Sequence, residues 1–201
     1  MTDILKPKWA VKYDSGPIVT KLSTGPKFEV LQDVVRAKPR PGEPLRFDIK
    51  VVAEPTSFQG KRAIVASPGP GWGNFEIRCD EGTPLGGDDS APAPLGYLTA
   101  GVVFCLMTHI SGYLRVKKLN LDRIKVEVRA NFMTTMGNLA TGGQASGACE
   151  GFETHVIVDS SEPPERVKEL VEVCEEACMA MQALVNSVPA TTKIILNGRA
   201  I

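Results

Sequence analysis

One stretch limits the possible folds more than any other. Between Leu95 and Val116, the apolar residues Leu98, Val102, Val103, Phe104, Leu106, Met107 and Ile110 occupy every side of a helix. A helix that is apolar all round is buried on every side, so the rest of the chain must enclose it. The apolar run near 94–107 is ended by His109, Arg115, Lys117 and Lys118. It is shorter than a bilayer requires, and the stretch therefore reads as a core helix with no membrane role. Gly96, Gly101 and Gly112 lower its helix propensity and allow close contact instead.

The remaining elements follow from periodicity. Strands are expected at 28–36, 45–52, 61–66, 74–79, 123–130 and 152–158, with a last strand at 193–197. The alternation is clearest where Leu45, Phe47, Ile49 and Val51 oppose Arg46, Asp48 and Lys50, and where Ile124, Val126 and Val128 alternate with Lys125, Glu127 and Arg129. A second helix is expected after SSEPPE, capped by Ser161. Its apolar stripe is Val167, Leu170, Val171, Cys174, Cys178, Met181 and Leu184. The order strands, helix, strands, helix, strand predicts an α+β fold with a mainly antiparallel sheet and two principal helices, one buried and one amphipathic. Residues 1–46 read as an N-terminal arm and β extension, and 47–201 as the main domain.

Chemistry-bearing signals are few. The 23 basic and 23 acidic residues balance, which argues against a strongly cationic nucleic-acid binder and leaves little repulsion against self-association. With only two histidines, His109 and His155, a histidine-rich metal site is not expected. No G-x-S-x-G, phosphate loop or HExxH motif is present. No leader pattern opens the chain, and an odd set of five cysteines disfavours a disulfide framework, so a cytoplasmic location is expected. Cys105 lies in the middle of the all-apolar helix, and Cys178 lies on the stripe of the second. If both helices pack on one side of a sheet, the two thiols can meet as a redox pair. Buried cysteines that pack as small hydrophobes are the alternative. His109 lies four residues after Cys105, as a base or as a satisfied core histidine. His155 is expected to face solvent.

Three segments in order resemble the OsmC/Ohr family. GGDDSAPAPLGYLTAGVVFC, 86–105, is similar to that family's double glycine, loop, helix-starting proline and first cysteine. SFQGKRAIVASPGPGWGNFEIRCDEG, 57–82, is similar to its first hairpin. ERVKELVEVCEEACMAMQALVNSVPATTKII, 165–195, is similar to its second helix and final strand. The likeness covers about 47–198. It implies an OsmC-like fold, an intertwined homodimer with sites at the subunit interface, and reduction of organic hydroperoxides with a dithiol reductant and no cofactor or metal. It also implies Cys105 as the peroxidatic cysteine, Cys178 as the resolving one and Arg62 as the arginine that holds the thiolate.

This sequence departs from the family pattern at three places. Lys61 stands in place of a glycine before Arg62, Leu95 stands where the peroxidases carry the glutamate that pairs with the arginine, and Met179 replaces a proline. The missing carboxylate predicts weak turnover that climbs as pH rises toward the ordinary thiol value of about 8.5. The alternative function is a weak or inactive OsmC-like dimer that binds a small apolar or electrophilic molecule.

Overall fold

A computed structural model describes residues 16–69 and 71–201; the first fifteen residues of the expected arm lie outside them. The chain is mixed α+β with antiparallel sheets and three helices among the described residues. It forms two compact units, one ending at Tyr97 and the next starting at Leu98.

The first unit holds one four-stranded antiparallel sheet in the order β1-β4-β3-β2. Its strands are β1 (Val19–Leu22), β2 (Lys50–Pro55), β3 (Lys61–Ala66) and β4 (Asn74–Cys79). β3 and β4 fall where alternation and turn residues put them. Two expectations differ. Residues 28–36 form no ladder; Asp33 and Arg36 instead pair by side chain with Lys50 and Asp48. The strand expected from 45 begins only at Lys50, which stands opposite Ala66. Beyond Ala66 the partner strand turns into Ser67-Pro68, and a proline offers no N–H to continue a ladder.

The second unit contains most of α1 (Pro94–Lys117), the hairpin β5 (Arg123–Thr134) and β6 (Gly147–Asp159), α2 (Pro164–Ala177), α3 (Met179–Val185), and a terminal hairpin of β7 (Ile195–Leu196) and β8 (Arg199–Ala200). Asn197 and Gly198 both have positive φ, 51° and 80°, as the tight turn between β7 and β8 requires. α1 starts on a proline, whose fixed φ suits the first helical position, and ends on Arg115 and Lys117, which suit the dipole's negative end. α2 starts at Pro164 with Pro163 before it and no side-chain cap, so Ser161 does not have the capping role expected of it.

The core of this unit is Leu106 and Ile110 of α1, with Leu170, Cys174 and Cys178 from the second helical stretch. Ile124, Val126 and Val156 of the β5–β6 hairpin pack against this cluster. β5 alternates because one face meets the helices and the other, with Lys125, Glu127 and Arg129, meets solvent. α1 is 24 residues long and apolar enough by composition to cross a bilayer, so length does not exclude a span as the shorter apolar run suggested. Its buried stripe makes it a core helix of this unit. It is not buried on every side, however: Phe104 is 70% exposed and Leu98 45%, because the elements of this unit cover only one face of it.

Candidate active site

The second helical stretch is interrupted at the residue that matters most. Cys178 has φ −73° and ψ 100°, so it ends α2 and starts α3. Its N–H donates to the Glu175 carbonyl at 3.2 Å, its carbonyl accepts from Gln182 N at 2.8 Å, and its sulfur accepts from Met181 N at 3.5 Å. The sulfur thereby does the work that a serine or aspartate oxygen does at an ordinary helix start. Cys178 is fully buried and Cys174, one turn earlier, is 1% exposed. Cys105, half-buried on α1, packs against the same cluster.

The three sulfurs affect one another. Burial pushes the Cys178 thiol pKa above its ordinary value; the Met181 N–H opposes this, and the neighbouring Cys105 thiol again favours the protonated form. Burial also raises the pKa of the Cys174 thiol, and the neighbouring Cys178 adds to this. All five cysteines are free thiols.

Arg62 belongs to the first unit. In the β2–β3 ladder it stands opposite Glu54, and in the β3–β4 ladder opposite Arg78. Glu54 Oε2 accepts from Arg62 Nε at 3.1 Å and from Nη2 at 2.8 Å, and Glu76 Oε2 lies 3.6 Å from Nη1. One carboxylate thus reaches the guanidinium from each neighbouring strand. Two arginines face each other across β3 and β4, a like-charge pair that costs stability unless acids intervene. Glu54 and Glu76 supply those acids.

The loop between β4 and α1 is built around one buried acid. Asp80 is 2% exposed and accepts from Glu81 N at 2.8 Å, Asp88 N and Ser90 N at 3.2 Å, and Ser90 Oγ at 2.7 Å. Burial alone would raise its pKa, but these bonds outweigh it and the net shift is downward. The paired glycines have separate duties. Gly86 adopts φ 79°, and a Cβ on Gly87 would lie 1.8 Å from the Glu81 carbonyl oxygen. The Tyr97 hydroxyl donates to the Arg78 carbonyl, which ties the first turn of α1 to β4.

Sequence reasoning singled out Cys105, Cys178 and Arg62. The structure places the two thiols in one core, and Arg62 near the start of β3. His109 is half-buried beside Cys174 in a groove between α1 and α2, and His155 is exposed against Glu153. Three residues described above were given no role from the sequence. Glu54 was readable, because folding β2 onto β3 about residues 56–60 sets it opposite Arg62. Cys174 carried its signal in the four-residue spacing to Cys178. Asp80 carried none, since its burial follows from a loop that closes on itself.

A pair of thiols between two helices over an antiparallel hairpin defines a class of cysteine-bearing α+β proteins. The sequence model described as OsmC-like protein matches residues 87–193, just over half of the chain and both cysteines of the pair, and the chain belongs to that family. The match begins after Arg62. No curated protein matches the chain. Among solved structures it is similar to an OsmC-like hydroperoxide resistance protein from Jannaschia sp. CCS1. That likeness has 25% identity and a TM-score of 0.50, over 71% of this chain and 88% of that one. It is also similar in fold to an OsmC-like protein from Mycoplasma pneumoniae, with 17% identity, a TM-score of 0.50, and 70% and 88% of the two chains covered.

Proposed function

We propose that this protein is a thiol-dependent peroxidase that reduces organic hydroperoxides. The observation that carries the reading is that Cys105 packs against the buried cluster that holds Cys178 in the core of the second unit. The Cys105 thiolate attacks a peroxide oxygen; the O–O bond breaks, an alcohol leaves, and Cys105 becomes a sulfenic acid. The Cys178 thiol then condenses with it, forming the disulfide and releasing water, and a dithiol reductant restores both thiols. Arg62, held by Glu54 and Glu76, is the cation assigned to the thiolate. Those two acids take the place of the family's glutamate, whose position is Leu95 here. The Jannaschia protein is described as a hydroperoxide resistance protein, which supports the same chemistry.

The working unit is a homodimer in a reducing, cytoplasmic setting. Phe104 and Leu98, exposed on α1, supply the apolar face for a second copy. A second reading, an OsmC-like dimer that binds a small apolar or electrophilic molecule, is favoured by the apolar groove between α1 and α2. Steady-state consumption of an organic hydroperoxide with a dithiol reductant separates the two. Turnover is expected to be abolished by Cys105→Ser, reduced by Arg62→Ala, and to rise with pH toward about 8.5. A Cys105→Ser protein that consumes peroxide as fast as the parent would replace the enzyme reading with the binding one.

A further inference from the structure

The overall balance of 23 basic and 23 acidic residues hides a local excess. Between residues 36 and 46 four cations, Arg36, Lys38, Arg40 and Arg46, stand against the single carboxylate of Glu43. We infer that this segment is a docking loop for an anionic membrane surface, where its cations grip lipid phosphate headgroups. The loop lies outside residues 87–193, which carry the family match, and its docking does not depend on the peroxidase chemistry.

Charge fixes the legs of the loop and proline keeps its tip open. Asp33 on one leg pairs with Lys50 on the other, and Arg36 pairs with Asp48 at 2.6 Å. Between the legs, Pro39, Pro41 and Pro44 have no N–H to give to a ladder, and every residue from 37 to 47 is exposed. Pro41 and Gly42 form a tight turn. Gly42 has φ 85°, Glu43 N donates to the Arg40 carbonyl at 3.0 Å, and the Glu43 carboxylate accepts from Arg40 N at 2.9 Å. The one acid of the loop is thus engaged by backbone, and Asp48 is engaged by Arg36. Among the described residues, no carboxylate pairs with the side chains of Lys38, Arg40 or Arg46.

Two further observations select the partner. Arg36, Lys38 and Arg46 line one cleft of about 340 Å³, with Glu43 and Val35 also on its walls. That is room for a phosphate headgroup among three cations. Beside them, apolar side chains stand in water: Val35 is 97% exposed and Leu45 70%. A nucleic acid would use the cations but not the two aliphatic groups, and residues 35–46 hold no aromatic ring on which a base could stack. A bilayer surface uses both, because phosphates take the cations and the acyl boundary takes the aliphatic groups. Each cation near an anionic leaflet gives about a fivefold gain in binding.

The test is co-sedimentation of the whole chain with vesicles at physiological ionic strength. Vesicles of two parts phosphatidylcholine to one part phosphatidylserine are expected to carry the protein down, and vesicles of phosphatidylcholine alone are not. Lys38→Ala combined with Arg40→Ala should weaken binding about 30-fold, and Val35→Ser should weaken it severalfold. Lys125→Ala combined with Arg129→Ala removes two exposed cations already paired with Glu127 and Glu153; binding should then stay within about twofold of the parent. All of these side chains are exposed, so the variants keep the fold. Equal binding to both kinds of vesicle, or an equal loss in the β5 variant, overturns membrane docking by this loop. Binding of inorganic phosphate or of single-stranded DNA, with none to the anionic vesicles, overturns it too and assigns the cations to a soluble anion or to nucleic acid.

Discussion

Raising the pH should unfold this protein by a route that its buried thiols dictate. Cys174 and Cys178 both have pKa values pushed upward in the folded chain, chiefly by burial, while in the unfolded chain each returns to about 8.5. Below that value both states carry the proton and the thiols leave stability unchanged with pH. Above it the unfolded chain loses its protons first, so it binds fewer than the folded chain and stability falls as pH rises. The loss continues until the folded thiols themselves titrate. Each thiol contributes a slope of up to about 1.4 kcal/mol per pH unit. Against a total stability on the order of 5–15 kcal/mol, one pH unit is then a large perturbation. Urea denaturation of the reduced protein, at steps from about pH 7.5 to 9.5, gives the slope directly. Other groups also titrate there, so the comparison is with Cys174→Ala, whose slope should be shallower by about the contribution of one thiol. Parallel curves for the parent and Cys174→Ala would refute the claim that burial holds this thiol protonated.

Three further outcomes are expected. Leu170→Ala empties a site with no exposed surface, between Leu106, Ile110, Cys174 and Cys178, and should cost about 3–5 kcal/mol by chemical denaturation; a cost under about 1 kcal/mol would mean that the cluster is not the core of its unit. Glu54→Gln combined with Glu76→Gln should lower peroxide turnover toward that of Arg62→Ala while changing stability by about 1 kcal/mol or less, since these are partly exposed ion pairs; unchanged turnover would dismiss the two acids as positioning residues. Phe104→Lys should convert a dimer to a monomer in sedimentation velocity, and an unchanged sedimentation coefficient would remove α1's exposed face from the interface.

What could be read from the sequence follows from how local each cause is. β3, β4 and α1 lie where alternation, helix periodicity and the flanking Gly and Pro residues put them, because those signals act over a few residues. The β2 boundary was misplaced because the alternation of Phe47 and Ile49 says nothing about where a partner strand runs out. The break at Cys178 was hidden as well. The stripe Val167, Leu170, Cys174, Cys178 and Met181 keeps helical spacing straight through it, and only Cys178's sulfur, capping Met181, shows that one helix has become two. The terminal hairpin was missed although Asn197-Gly198 marks it, since β8 has only Arg199 and Ala200 and carries no alternation of its own. The candidate pair Cys105 and Cys178 was legible because both occupy apolar helix faces. Of the carboxylates at Arg62, Glu54 was readable from the β2–β3 fold-back, whereas Glu76 was not, because it reaches the guanidinium from β4 without standing opposite it.

The central claim is that Cys105 is the atom that takes oxygen from the peroxide. In Cys178→Ser the sulfenic acid has lost its assigned resolving partner, and a further Cys174→Ser change removes the other buried thiol of the same cluster. Treating that double variant with an organic hydroperoxide in the presence of a sulfenic-acid trapping reagent, then mapping the adduct by mass spectrometry, tests the claim at the atom concerned. The account predicts the adduct on Cys105, with one alcohol produced per adduct formed. An adduct confined to Cys79 or Cys149, or intact hydroperoxide and no adduct, would contradict it.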